Sequence, residues 1–259
     1  MTHPYFTGQH PRVLAHRGLV TADAAAQGVV ENSFAALAAA HAAGAEYIES
    51  DCHLTADGVV VLLHDEDLTR VAGDPRRVSE VTERELAEMF SERGGVATLS
   101  QALDAFPDTR FNLDVKAPDA ADAVGTLVAA HAERVLVTSF SDERRTRALA
   151  AAARTGSGAM PATSAGSATI ARLILALTVR SDRAVRRALR GVDALQIPER
   201  QGAVRVLSPR LLAAAHRHGV EVHVWTVNDP ADMTRLLDLG VDGLVTDRAD
   251  LALALVTGR

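Results

Sequence analysis

Short apolar runs rich in β-branched residues alternate along the chain with Ala- and Leu-rich segments whose apolar positions recur at helical spacing. Eight runs are predicted strands, at residues 13–16, 47–55, 111–116, 135–140, 155–160, 194–198, 221–227 and 243–246. Helices are predicted between most of them, for example at 33–43, 120–131, 208–218 and 231–239. This alternation over 259 residues predicts an α/β fold of the (β/α)8 TIM barrel type. A doubly wound open sheet is the alternative, but no Gly-x-Gly-x-x-Gly turn follows the first strand.

A hairpin is predicted from the second of these runs. Residues 47–55 alternate in polarity as a strand does and lead into the strong turn pair Asp57-Gly58, with a further short strand at 59–63. A plain two-residue turn would set Asp51 opposite His64, with both side chains on one face of the hairpin.

Glu49 lies two residues before Asp51 and therefore shares this face. Two such carboxylates form an oxygen-rich site that suits Mg²⁺ or Ca²⁺ better than zinc, and a nearby histidine can move protons. Barrel enzymes place their chemistry at the carboxyl ends of the strands, so polar residues there are expected to converge. Those at or near predicted strand ends are His16, Arg17, Asp114, Lys116, Ser139, Trp225 and Asp247.

Composition narrows the class of protein. Hydrophobic residues make up 47% and charged residues 23% of the chain, which is typical of a folded globular protein. The formal net charge of −6 argues against a nucleic-acid-binding protein. The single cysteine, Cys52, excludes an internal disulfide and is predicted to be a packed strand residue. Since neither a signal-peptide pattern nor an apolar run of roughly 20 residues is seen, we expect a cytoplasmic protein without a transmembrane segment.

Several short motifs occur in an order that is far more specific than any one of them. They are His16-Arg17-Gly18, Glu31-Asn32, Glu49-Ser50-Asp51, Asp57-Gly58, His64-Asp65, Thr98-Leu99, Asp114-Val115-Lys116, Ser139-Phe140, Trp225-Thr226-Val227-Asn228 and Asp242-Gly243-Leu244-Val245-Thr246-Asp247. Over residues 13–250 this order resembles the glycerophosphodiester phosphodiesterase family. The resemblance implies one domain, 1–259, with a short insertion at about 66–110, folded as a PLC-like phosphodiesterase TIM barrel. It also implies metal-dependent cleavage of a phosphodiester to glycerol 3-phosphate and an alcohol.

Matched residue by residue, the resemblance implies three sets of site residues. One divalent cation, Mg²⁺ or Ca²⁺ with Mn²⁺ as a further option, would be bound by Glu49, Asp51 and Asp114, with Glu31 near the metal or substrate. The catalytic acid-base pair would be His16 and His64, and we favour His16 as the base and His64 as the acid. Substrate contacts would come from Arg17, Lys116, Asn32 and Trp225, the first two as cations facing the phosphate.

Four positions carry alternatives. Asp114 stands where the family commonly has Glu, so its shorter side chain would reach a metal either directly or through a water. Asn32 is either a hydrogen-bonding support or the cap of the following helix. Asp247 either stabilises a residue on the catalytic side or caps the last helix, and His53 is either packing or a further ligand.

Two other stretches suggest hypotheses about the mouth of the barrel. The insertion at 66–110 would form a narrow cap that limits substrate size. The apolar run at 170–179, followed by several arginines, is either a barrel helix with a solvated basic face or a lip. Such a lip would meet lysophospholipids or an anionic membrane surface.

We therefore predict hydrolysis of water-soluble glycerophosphodiesters such as glycerophosphocholine or glycerophosphoethanolamine. The alternatives are a lysophospholipase D-like activity on lysophospholipids and a non-catalytic barrel that binds a phosphorylated ligand. A small phosphodiester is the expected partner, nucleic acid is not, and peripheral membrane contact is the less favoured option. The sequence does not predict an oligomeric state.

Overall fold

A barrel of parallel strands organises residues 3–258, which are the residues that the computed structural model describes. The strands are β1 (Arg12–His16), β2 (Tyr47–Leu54), β3 (Val60–Leu62), β4 (Arg110–Val115), β5 (Val135–Thr138), β6 (Ala162–Thr163), β7 (Ala194–Ile197), β8 (Arg200–Gln201), β9 (Val204–Arg205), β10 (Glu221–Val224) and β11 (Gly243–Thr246). Within residues 3–258, eight strands are parallel, and neighbouring strands are hydrogen-bonded in the order β6-β5-β4-β2-β1-β11-β10-β7. A backbone bridge between Ser164 and Ala194 joins β6 to β7, so the barrel is nearly closed and the predicted TIM barrel is confirmed.

Helices surround the strands. They are α1 (Ala22–Ala26), α2 (Phe34–Ala42), α3 (Thr69–Ala72), α4 (Glu83–Phe90), α5 (Leu99–Ala105), α6 (Ala120–Val128), α7 (Asp142–Arg154), α8 (Ser167–Thr178), α9 (Asp182–Ala188), α10 (Pro209–Arg217), α11 (Pro230–Leu239) and α12 (Ala249–Thr257). Side-chain caps fix many of the helix starts, at Thr21, Ser33, Thr82, Thr98, Ser141, Ser181, Ser208 and Asp229. Within residues 3–258, every helix is too short or too polar to cross a membrane.

Alternation along the strands gives the barrel an inward and an outward set of side chains. Tyr5 and Phe6, from a 3-10 helix at Pro4–Thr7, pack into the interior cluster at the end where the strands begin. Arg12, the first residue of β1, donates to the carbonyl of Phe6 at 2.8 Å and pairs with Glu221 at 2.7 Å. The amino end of the barrel is therefore closed by aromatic rings and a buried ion pair, and chemistry is left to the carboxyl end.

One predicted strand is wrong. Residues 155–160 form the turn and loop after α7, and the strand that joins the barrel is β6, two residues further on. Gly156 and Gly158 have φ angles of 73° and 78°, which an extended strand cannot contain. Cys52, by contrast, is fully buried in β2 as predicted.

The predicted two-residue hairpin turn is also wrong. The loop holds three residues, 56–58, and its last residue, Gly58, has a φ of 80°, as is common in such loops. The register therefore shifts by one residue, and the amide of Leu63 donates to the carbonyl of Asp51 at 2.9 Å. His64 follows the paired segment and still reaches the carboxyl end of the barrel.

The excursion at 66–110 contains α3 to α5 and packs beside the barrel. Its side chains share a small apolar cluster with β3, formed by Val61, Leu63, Leu68, Val71, Val78, Val81, Leu86 and Phe90. None of the described residues from 66 to 110 lines the main cavity at the barrel mouth. Glu66, Arg77 and Ser79 do line an adjoining pocket together with His64 and Lys116, so a cap that limits substrate size stays a prediction.

Candidate active site

A cavity of about 580 Å³ opens at the carboxyl ends of the strands. Its polar wall consists of His16, Arg17, Glu49, Asp51, His64, Asn112, Asp114 and Lys116. Its apolar wall includes Phe140, Ile170, Ile174, Ile197, Val204, Val206 and Trp225. The sequence places the polar side chains here because β1 ends on His16, while β2 and β4 carry polar residues at alternate positions, Glu49 and Asp51 on β2 and Asn112 and Asp114 on β4.

Three buried carboxylates and one ammonium group form the centre of the polar wall. Asp51 on β2 stands directly opposite Asp114 on the neighbouring strand β4. Lys116 lies between them, with Nζ 3.1 Å from Oδ1 of Asp51 and 2.7 Å from Oδ2 of Asp114. Glu49 completes the group on the same face of β2, and it is 8% exposed. The site is thus rich in negative charge for its degree of burial.

Burial and neighbouring charges separate the behaviour of these acids. Burial, reinforced by Asp51 and Asp114, raises the pKa of Glu49 well above its usual range. Burial also raises the pKa of Asp114, although Lys116 acts in the opposite direction. For Asp51 burial again opposes ionisation, but Lys116 and Arg17 outweigh it and lower the pKa. Asp51 is therefore the acid whose ionised form the neighbouring cations already stabilise. An added cation would stabilise the ionised forms of Glu49 and Asp114 most.

Buried polar neighbours hold Asp51 in place. Asn32 donates from Nδ2 to Oδ2 of Asp51 at 3.1 Å and accepts from the Ser50 hydroxyl at 2.6 Å. Nε of Arg17 lies 3.1 Å from the same Oδ2, an ion pair without hydrogen-bond geometry. Arg17 also donates to Glu31 at 2.7 Å, so its guanidinium is fixed on two sides at the cavity wall.

Each histidine of the wall is oriented by a carboxylate. Nδ1 of His16 lies 2.6 Å from Oδ1 of Asp247, and Nδ1 of His64 lies 2.6 Å from Oδ1 of Asp65. A proton on Nδ1 satisfies each carboxylate and leaves Nε2 for the cavity, where Nε2 of His16 is 3.9 Å from Glu49. The hydrogen bond with His16 lowers the pKa of Asp247, so this carboxylate stays charged behind the ring.

Comparison with known proteins agrees with this arrangement. The model of the "Glycerophosphoryl diester phosphodiesterase family" matches residues 16–251. The chain belongs to this family. A Mycobacterium tuberculosis protein named "Probable glycerophosphodiester phosphodiesterase 2" is 36% identical over 242 residues, or 92% of this chain and 88% of that protein. The family resemblance seen in the sequence is confirmed, and the chain is an enzyme of the glycerophosphodiester phosphodiesterase class.

Solved structures of the family share the barrel. The glycerophosphodiester phosphodiesterase of Thermotoga maritima superposes with a TM-score of 0.70 at 27% identity, covering 96% of this chain and 99% of that one. A phosphodiesterase of Oleispira antarctica, solved in complex with the product sn-glycerol-3-phosphate, has a TM-score of 0.70 at 19% identity and covers 96% and 97%. The agreement spans the whole barrel of this family.

The buried acids of this phosphodiesterase barrel fit a divalent ion. Within residues 3–258, no group of three or more Asp, Glu, His or Cys side chains is already arranged to bind a metal ion. Lys116 instead lies between Asp51 and Asp114. Yet Oε2 of Glu49 and Oδ1 of Asp114 are buried and have no hydrogen-bond partner among the described residues. Buried carboxylate oxygens without partners are costly, and they are the ligands that hard cations such as Mg²⁺ and Ca²⁺ prefer.

Most predicted site residues of this family member line the cavity together. They are His16, Arg17, Glu49, Asp51, His64, Asp114, Lys116 and Trp225. Glu31 and Asn32 do not line it: Glu31 pairs with Arg17 and Arg70, and Asn32 is buried against Asp51. The cap of α2 is Ser33, so the capping alternative for Asn32 is wrong.

Four further residues, Asp247, His53, Asp65 and Asn112, lie in or beside the site. Asp247 bonds to His16 and does not cap α12. His53 is buried outside the cavity, and its Nε2 donates to the carbonyl of His64 at 3.2 Å. Sequence reasoning assigned no role to Asp65 or to Asn112, which faces the cavity with an unpartnered Oδ1. The role of Asp65 could have been inferred from the sequence, because Asp65 directly follows His64.

Proposed function

We infer that the chain hydrolyses water-soluble glycerophosphodiesters, such as glycerophosphocholine, to glycerol 3-phosphate and an alcohol, in a reaction that depends on a divalent cation. The observation that carries this proposal is the pair of carboxylate-held histidines on the wall of one cavity with two cations and three buried acids. The Oleispira antarctica relative, crystallised with sn-glycerol-3-phosphate, supports the same product class.

Glu49, Asp51 and Asp114 would hold the cation through their carboxylate oxygens. When bound, a divalent ion offsets the charge of the phosphate and polarises the phosphorus centre. Arg17 and Lys116 line the same wall and supply further positive charge for the phosphate oxygens, Arg17 through a planar fork and Lys116 as a point charge. Glu31 steadies Arg17 from behind.

The two histidines divide the proton transfers. As the general base, His16 donates its Nδ1 hydrogen bond to Asp247 and accepts at Nε2 the proton of the attacking hydroxyl. The new phosphorus–oxygen bond forms as the bond to the leaving alcohol breaks. As the general acid, His64 donates its Nδ1 hydrogen bond to Asp65 and gives its Nε2 proton to the leaving oxygen. Attack by water gives the products directly, whereas attack by the glycerol hydroxyl gives a cyclic phosphate that water opens afterwards.

The test is release of glycerol 3-phosphate from glycerophosphocholine by enzyme freed of metal with a chelator. Mg²⁺, Ca²⁺ and Mn²⁺ are added back singly. We expect turnover only with an added ion, and at least a hundred-fold loss in His16→Ala and in His64→Ala. The control is His218→Ala, which changes an exposed histidine at the end of α10. Full activity of the chelated enzyme, or of His64→Ala, would overturn the mechanism.

Lysophospholipids are a second candidate substrate, because one side of the cavity is apolar. Ile170 and Ile174 of α8, and Val204 and Val206 in and just after β9, line the cavity together with Trp225 and offer a surface for an acyl chain. A detergent-free assay with lysophosphatidylcholine tests this candidate. Ile174→Asp should then reduce kcat/KM for the lysolipid far more than for glycerophosphocholine. Equal reduction for both substrates would reject the acyl-chain site.

A further inference from the structure

The charge of this chain is unevenly distributed. Residues 167–191, which span α8 and α9, contain six arginines and one aspartate, whereas the whole chain has a formal net charge of −6. A stretch of about a tenth of the chain therefore carries a local excess of positive charge against an acidic background. Its arginines are Arg172, Arg180, Arg183, Arg186, Arg187 and Arg190.

These arginines also differ from most others in their contacts. Arginines elsewhere, such as Arg76, Arg147 and Arg235, form ion pairs with neighbouring carboxylates. Within residues 3–258, none of the six arginines of α8 and α9 has a carboxylate within ion-pair distance, and all six are exposed. Their charge is therefore available to an external partner.

Exposed apolar side chains accompany this charge. Leu175 is 63% exposed and Val179 is 62% exposed. Arg172, Leu175 and Val179 are three and four residues apart, so they form one stripe along α8 and its C-terminal cap. Large aliphatic side chains next to unpaired arginines are the pattern of a segment that lies in a membrane interface.

The stripe lies on the same helix as part of the wall of the active-site cavity. Ile170 and Ile174 of α8 line the cavity, and Leu175 and Val179 follow within about one and a half turns of the same helix. On other sides of the cavity, Phe140 and Val204 are 54% and 61% exposed. Exposed apolar side chains thus occur both at the cavity and on the outer surface of α8.

We propose that this surface docks on bilayers that contain anionic lipids. The lip, defined as Arg172, Leu175, Val179, Arg183 and Arg187, would place its two aliphatic side chains among the headgroups and its arginines on lipid phosphates. Arg183 and Arg187 are four residues apart on α9 and face the same way. A nucleic acid would use the arginines alone, so the aliphatic stripe favours a bilayer over it. Docking concerns surface binding and does not depend on the proposed reaction.

Vesicle co-sedimentation of the full chain tests the proposal, with phosphatidylcholine vesicles compared with vesicles that also contain phosphatidylglycerol. We expect binding to the anionic vesicles at low salt and its loss at about 0.5 M salt. Each arginine at an anionic surface contributes about five-fold to partitioning, so Arg183→Gln with Arg187→Gln should weaken binding about thirty-fold. The matched control, Arg210→Gln with Arg217→Gln, removes two exposed arginines from α10 and should leave binding within about two-fold.

A second pair of variants tests the aliphatic stripe. Leu175→Ser with Val179→Ser should weaken binding, whereas Met160→Ser, which changes an exposed methionine outside the lip, should not. Circular dichroism checks that each variant is folded. Equal binding to neutral and anionic vesicles, equal losses in the α9 and α10 variants, or no binding at low salt would each overturn the proposal. Lip variants that alter only self-association in sedimentation velocity would also overturn it, because the face would then be a contact between copies.

Discussion

Glu221→Gln removes the charge from the ion pair at the amino end of the barrel. Both oxygens of Glu221 accept from the nearly buried guanidinium of Arg12, at 2.7 Å each, and one also lies 3.0 Å from Nε2 of His223. Gln keeps the size of the side chain and one acceptor oxygen. The substitution therefore isolates the charge, which lies at the opposite end of the barrel from the active site.

The cost follows from the pKa of the carboxyl group. Burial opposes ionisation of Glu221, but the hydrogen bonds with Arg12 and His223 outweigh it and lower the pKa from 4.5 to about 2. At 1.36 kcal/mol per pKa unit, the lowered pKa of Glu221 contributes about 3 kcal/mol to the free energy of unfolding. Because the folded-state pKa is lowered, the contribution is complete above pH 4.5 and is lost as the pH falls towards 2. About half of it remains near pH 3.

Urea unfolding at several pH values measures this contribution as the difference between wild type and Glu221→Gln. We expect a gap of about 3 kcal/mol near pH 7 that narrows to about half near pH 3, with kcat retained in the folded variant. Asp250→Asn is the control, since the Asp250–Arg248 pair is exposed and should contribute less than about 1 kcal/mol. A gap below about 0.5 kcal/mol near neutral pH, or one that does not narrow in acid, would refute the reasoning.

Three further substitutions address the carboxyl end. Asp247→Asn should lower kcat about a hundred-fold with little change in KM, because His16 loses the charge behind its Nδ1; an effect on KM alone would contradict this. Asp51→Asn should weaken Mg²⁺ binding in calorimetry at least about ten-fold, and unchanged affinity would remove it from the proposed site. Gly18→Ala should lower stability by about 2 kcal/mol or more, because φ is 87° and a Cβ would lie 2.6 Å from the Ala36 carbonyl; an unchanged melting temperature would disprove that clash.

Local pattern was sufficient for most of the barrel. The last strand occupies residues 243–246 in prediction and structure alike, because a buried parallel strand is an apolar run with a clear end. Pattern failed at 155–160, where two glycines in the left-handed region close a helix and hold no strand. The predicted length of the hairpin turn was wrong for a related reason. Asp57-Gly58 marks a turn correctly, but loop length, and hence register, depends on the backbone angles of the residues around it.

The candidate site shows the same division between local and long-range information. Period-two alternation is enough to place Glu49 and Asp51 on one face of a strand. The carboxylate behind His16 comes from Asp247, which is 231 residues away, and only closure of the barrel brings the two together. Asn32 acquires its role in a similar way, since its bond with Asp51 depends on the loop that precedes α2.

The aromatic floor built by Tyr5 and Phe6 decides how molecules travel through this enzyme. Because those rings close the amino end of the barrel within the described chain, substrate enters the chamber and both products leave it on the carboxyl side. Residues at the far end of the barrel from the proposed site thus determine the side by which small molecules enter and leave.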